Sequence, residues 1–219
     1  MPTSRLLRNF SRQLKKTWFV FIILVVFSPG LLQLSLHFKE ALTLWRGLPR
    51  QIVVSTRAKL QDPYQERLVE MRWGNFQLHR EDLLSKVLYS KLILLEKYFI
   101  DWIQFASPRL YFLTGDGSIF SPGYVEPIPA LLLPFWLMGL GILIKKHNYL
   151  PLIAVGLFTG LAFFSGIKNM PLIWPVLLIY LYISALGLTG MKDHHRYFLI
   201  ASLVVIYSIY CFDMTLYAR

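Results

Sequence analysis

Residues 98–146 read YFIDWIQFASPRLYFLTGDGSIFSPGYVEPIPALLLPFWLMGLGILIKK, and their order decides the fold class. An aromatic-rich amphipathic segment passes through a Gly-Asp-Gly turn and a Pro-studded loop, then runs directly into an apolar block closed by two lysines. That order describes a segment lying on the outer surface of a bilayer and then entering it. The rest of the chain agrees. Hydrophobic residues make up 55% of the sequence, mean hydropathy is +0.49, and the apolar residues come in blocks instead of alternating. A soluble domain would spread them at helix or strand period around one core. Blocks of roughly 20 residues match the ~30 Å hydrocarbon layer when helical.

The expected fold is therefore an all-α polytopic membrane protein with about five transmembrane helices. The expected spans are Trp18–Leu36, Pro129–Ile144, Tyr149–Ser165, Leu172–Leu188 and Tyr197–Tyr217. In domain terms, residues 1–17 form a basic cytoplasmic N-terminus and 18–36 the first transmembrane helix. Residues 37–128 form an extracytoplasmic region of amphipathic helices, and 129–219 a four-helix transmembrane bundle. No small-residue cleavage site follows the first block, so it reads as a retained span and not as a signal peptide.

Arg5, Arg8, Arg12, Lys15 and Lys16 precede the first span without an acidic residue among them. The positive-inside rule puts them in the cytoplasm. Alternation along the spans places Lys145-Lys146-His147 and Lys192-Asp193-His194-His195-Arg196 on the same side. The expected localisation is thus the plasma (inner) membrane, with 37–128 outside. These clusters account for the formal charge of +11 through topology and anionic headgroups, so no nucleic-acid partner is expected. The single cysteine, Cys211, lies in an apolar block and cannot form an internal disulfide.

Within the outer region, Leu68–Phe76 and Leu83–Trp102 read as helices. In the second, Leu84, Leu88, Leu92, Leu95, Phe99 and Trp102 recur at steps that build one apolar stripe. Arg50–Ser55 reads as an extended stretch and Asp62-Pro63 as a turn. Gly115-Asp116-Gly117-Ser118 is a tight turn by its chemistry, since glycines permit positive φ and Asp bonds back to nearby backbone N–H groups. It lacks the extra glycines and lysine of a phosphate-cradling loop. The adjacent His194 and His195 point about 100° apart on a helix, and the other histidines are scattered, so neither a metal site nor a cofactor is expected. Tryptophans and tyrosines near span ends, Trp18, Trp102, Trp136 and Trp174 among them, read as an aromatic belt.

With these segments placed, the chain resembles the C-terminal half of GT-C superfamily glycosyltransferases. The nearest likeness is to the protein-mannosyltransferase-like membrane enzymes (family 39) that use polyprenyl-phosphate sugars. The resemblance runs from Arg50 to Ile144. It is carried in order by Arg50…Val54-Ser55, Leu88-Tyr89-Ser90-Lys91 with Tyr98-Phe99-Ile100, and Phe105-Ala106-Ser107-Pro108 with Leu110-Tyr111-Phe112-Leu113. Thr114-Gly115-Asp116-Gly117, Ser121-Pro122-Gly123-Tyr124 and Leu133-Pro134-Phe135-Trp136-Leu137-Met138-Gly139-Leu140 complete it. It implies a polyprenyl-phosphate sugar donor handled at the outer membrane face, with Arg50, Lys91, Arg109, Asp116 and Lys168 as candidate substrate-binding residues. Each cation has a plainer reading as a snorkelling interfacial residue, and Asp116 as a turn former.

The catalytic acid of such enzymes lies in the first outer loop, within an N-terminal module of several spans. Here that loop opens Lys39-Glu40, and Glu40 stands in no Asp-Asp or Asp-Glu motif. The expectation is a module lacking the catalytic half and needing a partner membrane protein. The alternative is a non-catalytic membrane subunit or scaffold of the same fold that binds partner membrane proteins or lipid. A transporter finds no support, since no inverted repeat or intramembrane charge pair is evident.

Overall fold

A computed structural model describes residues 3–60, 70, 74, 92–121, 125–166, 170–191, 200–202, 204 and 205. Among them the chain is all helical and contains no strand. The helices are α1 (Thr3–Val26), α2 (Pro29–Leu36), α3 (Phe38–Leu60), α4 (Leu92–Phe105), α5 (Leu133–Lys145), α6 (Leu150–Ser165) and α7 (Met170–Thr189). A π-helical turn at Leu110–Thr114 and a 3-10 turn at Ala130–Leu132 lie between α4 and α5.

Helix α7 is the hub. Its sequence, MPLIWPVLLIYLYISALGLT, is apolar all round, as expected of a helix with neighbours on every side. It packs against α1, α2, α3, α5 and α6, and Ile173, Val176, Leu177, Leu181, Ile183 and Leu188 are buried along it. The stretch Pro171–Thr189 is, by itself, long and apolar enough to cross a membrane. Two bent pairs pass the same test jointly: Lys15–Val26 with Pro29–Leu36, bent by 55°, and Ala130–Lys145 with Leu150–Ser165, bent by 117°. That gives one helix long and apolar enough to cross a membrane among the described residues, or up to three if each bent pair is one span.

Contacts fix the helix directions. Thr17 Oγ1 lies 3.2 Å from Thr189 Oγ1, while Gly30, just beyond α1, abuts Leu177, so α1 runs antiparallel to α7. Helix α5 runs parallel to it: Trp136 meets Tyr180 with ring centroids 5.1 Å apart, Gly139 abuts Ile183, and Ile142 lies beside Gly190. Lys15 and Lys16 therefore fall toward the same end of the bundle as Lys145 and Lys146.

The α5–α7 crossing depends on two glycines. A Cβ at Gly139 would fall on the carbonyl oxygen of Ile183, and a Cβ at Gly187 on that of Phe135. With hydrogen there instead, the two backbones touch, the small-residue mode of close helix packing.

Three expectations need correction. The first apolar block is not one continuous helix. Pro29 pushes Ser28 into an extended conformation (φ −79°, ψ 119°) and opens α2 as its N1 residue. The break is held by the Pro127 carbonyl, which accepts from Ser28 Oγ at 3.0 Å and from the Gly30 N–H at 3.1 Å. Second, Arg50–Ser55 is helical, inside α3. Its β-branched run Ile52-Val53-Val54 favours a strand locally, but the inward face of α3 overrides that preference. Ala41 is buried, and Leu44 and Leu48 pack against the core. Trp45 Nε1 donates to the Pro171 carbonyl at 2.7 Å, and Ser55 presses on Gly166. Third, Trp136 is no interfacial anchor: it is buried in the core beside Phe112 and Tyr180. Helix α4 realises the second half of the expected Leu83–Trp102 helix and extends it to Phe105. Leu68–Phe76 apart from two isolated positions, Asp62-Pro63 and most of Tyr197–Tyr217 lie outside the described residues.

Candidate functional site

The segment from α4 to α5 contributes a compact buried knot around Tyr180. Tyr111 O–H donates to the Phe105 carbonyl at 2.8 Å, and Tyr180 O–H donates to the carbonyl of Ala106. The Tyr111 and Tyr180 rings are 4.7 Å apart, and Phe112 stacks on Tyr180 at 6.1 Å with an interplanar angle of 21°. The Ile128 N–H closes the knot by donating to the Tyr111 carbonyl at 2.8 Å. Ring packing of this kind stabilises beyond the area it buries. Burial pushes the Tyr111 phenol well above its ordinary range, with smaller contributions from Tyr180 and the Asp116 carboxylate. Tyr111 is thus a neutral hydrogen-bond donor and is poorly suited to act as a base.

The Gly115–Ser118 turn forms as its sequence dictates. Gly115 and Gly117 take positive φ, 62° and 73°, and a Cβ at Gly115 would collide with Ser121 Oγ. Asp116 Oδ1 accepts from the Ser118 N–H at 3.0 Å and from Ser118 Oγ at 2.7 Å. Glu126 is likewise engaged with backbone, accepting from the Ala130 N–H at 2.7 Å at the start of the 3-10 turn.

The candidate substrate-binding residues separate onto different elements. Arg50 is exposed on α3, which packs on α6 and α7. Arg109 is exposed at the N-terminal edge of the π-helical turn, which packs on the 3-10 turn. Asp116 is half-buried in the turn just described. Lys91 and Lys168 lie outside the described residues. Among the described residues no three His, Cys, Asp or Glu side chains gather in one place. What sequence reasoning missed is the cationic side of α3, where Lys39, Arg46 and Arg57 join Arg50 as exposed residues. Their spacing was legible as a helical stripe, but the β-branched run and Pro49 concealed it.

Comparison with known proteins returns no matching family profile, no curated relative and no solved structure.

Proposed function

We propose that this chain is a multi-pass membrane protein acting as a scaffold and donor-lipid module of GT-C-like type. Its N-terminus lies in the cytoplasm and residues 37–128 on the outer face. The module supports a transferase by holding the outer-face architecture beside a polyprenyl-phosphate sugar, while the catalytic carboxylate is supplied by other spans.

The observation that carries this reading is the behaviour of the motif-bearing segments. Phe105-Ala106, Tyr111-Phe112 and Phe135–Gly139 pack and hydrogen-bond around Tyr180 and α7, so these pieces of the resembling stretch form one structural unit, with the Gly115–Ser118 turn beside it. Its side chains are spent on packing and on a turn. Asp116, the carboxylate best placed by motif, is directed at Ser118. That favours a scaffold over a self-sufficient enzyme, since a general base must face the proton it removes. The multi-pass arrangement is supported by the helix directions, which bring Lys15, Lys16, Lys145 and Lys146 to one end in keeping with the positive-inside rule.

The test is purification of the tagged chain in a gentle detergent, with bound proteins identified by mass spectrometry. A multi-span partner carrying an outer-loop Asp-Asp or Asp-Glu pair is the expected result, with sugar transfer from a polyprenyl-phosphate donor seen only when both chains are present. Recovery of the chain alone, or with an unrelated assembly, removes the transferase reading.

A further inference from the structure

Helix α3 presents a cationic stripe with apolar borders on the side opposite its packed face. At 100° per residue, Lys39, Arg46, Arg50 and Arg57 fall within a sector of about 40° and extend along roughly 27 Å of helix. All four are exposed. Glu40 is the single acid of α3, and it lies about 100° around the helix from the centre of the stripe. Exposed apolar residues flank the cations: Phe38 (60% exposed), Leu42 (39%) and Val53 (67%) along one edge, and Val54 (60%) along the other. The opposite side is fixed by Ala41, Leu44, Trp45, Leu48 and Ser55 against α6, α7 and their connection.

Trp45 bonds to Pro171 at the start of α7, and Ser55 touches Gly166 just after α6. These contacts are ten residues apart on α3, about 15 Å, yet both land on one helix junction. Helix α3 therefore crosses the end of the apolar bundle opposite Lys145 and Lys146.

We propose that this face of α3 is an interfacial docking surface for the phosphate headgroups of anionic phospholipids. The cations meet the phosphates, and Phe38, Leu42, Val53 and Val54 enter the adjoining acyl boundary. A straight row of like charges bordered by apolar residues suits a planar charged layer, the pattern of helices that lie in a membrane interface. An acidic protein would need its own matching row and would leave the apolar borders wet. The inference does not rest on the transferase reading, since it needs neither a donor sugar nor a partner chain.

The test uses the full chain in uncharged detergent micelles carrying either phosphatidylglycerol or phosphatidylcholine, with retained lipid counted by native mass spectrometry. Wild type retains phosphatidylglycerol selectively, and added salt weakens that retention. Each cation changed to Gln at Lys39, Arg46, Arg50 and Arg57 lowers apparent affinity about fivefold. A Lys145→Gln/Lys146→Gln variant, altered at the other end, keeps the α3-dependent share. Single Arg46→Gln and Arg50→Gln variants, at exposed positions, carry the test if the fourfold variant misfolds. Equal retention of both lipids, or undiminished phosphatidylglycerol retention in the α3 variants, overturns the proposal. So does capture of an acidic protein by this face in place of lipid.

Discussion

Replacing Gly139 or Gly187 with alanine asks whether the α5–α7 crossing is set by backbone contact. In each case the added methyl meets a main-chain carbonyl, of Ile183 or Phe135, and no rotamer change can move a carbonyl aside. The helices must separate or slide, loosening dispersion contacts at the most extensive helix–helix contact among the described residues. Overpacking a filled core costs about 1–3 kcal/mol, and an obstruction by backbone belongs at the upper end of that range. For a chain of this size, 2–3 kcal/mol corresponds to a drop in unfolding midpoint of about 5–10 °C. The same helix supplies the control. A Cβ at Gly141 meets nothing within 4 Å, so Gly141→Ala gains helix propensity of up to about 1 kcal/mol and should leave the midpoint unchanged or raise it. The assay is thermal unfolding of the detergent-purified variants at one heating rate. Equal midpoints for Gly139→Ala and Gly141→Ala would refute the close crossing and with it the parallel register of α5 and α7.

Other changes probe the knot and the turn. Tyr111→Phe leaves the buried Phe105 carbonyl without its phenol partner and should cost about 1–3 kcal/mol in the same assay. Because burial raises the Tyr111 pKa, its contribution is fully present below the unfolded value of about 10 and is lost as pH climbs beyond it. Midpoints recorded from neutral to strongly alkaline pH should fall more steeply in wild type than in Tyr111→Phe. Asp116→Ala removes the acceptor of two Ser118 bonds and should destabilise by about 1 kcal/mol, whereas Asp116→Asn keeps that acceptor. If both variants abolished sugar transfer in the two-chain assay without a stability change, Asp116 would be a substrate group and the scaffold reading would fail. Thr159→Val removes the oxygen that accepts from Trp102 Nε1 at 3.0 Å, and should weaken the α4–α6 contact by about 1–2 kcal/mol, read as earlier proteolysis between the two helices.

Much of the architecture was legible because apolar blocks are a strong signal. Helix α7 follows from an unbroken apolar run, whereas the α1–α2 break at Ser28-Pro29 went unread because the apolar block continues through it, and only the structure supplies the Pro127 carbonyl that holds it. The Gly115–Ser118 turn was readable from its chemistry alone. Helix α3 was not: Ile52-Val53-Val54 and the internal Pro49 both argue locally against a helix, and the packed face that outweighs them is visible only against α6 and α7. The glycine crossing was hidden for a related reason. Gly139 and Gly187 are ordinary within their own helices and acquire meaning as a pair. Of the candidate residues, sequence named Arg50, Arg109 and Asp116 as substrate-binding, but did not show that they sit on separate elements or that Asp116 is directed into its own turn.

The two ends of the bundle carry positive charge for different physical reasons. On the proposed topology Lys15, Lys16, Lys145 and Lys146 lie at the cytoplasmic ends of apolar helices, where basic residues bias orientation. The cations of α3 lie at the opposite end of the bundle; on the proposed topology Lys39, Arg46 and Arg50 follow the first span closely on the outer side, against the positive-inside bias. Arg46, Arg50 and Arg57 stand exposed on the side facing away from α6 and α7. A row of like charge repels itself and is relieved by a layer of opposite charge. The separation of roles is measurable: charge reversal at Lys145 and Lys146 should disturb membrane orientation, read by accessibility of tags placed at the chain termini. Neutralising Lys39, Arg46, Arg50 and Arg57 should leave orientation intact and change only the lipid retained.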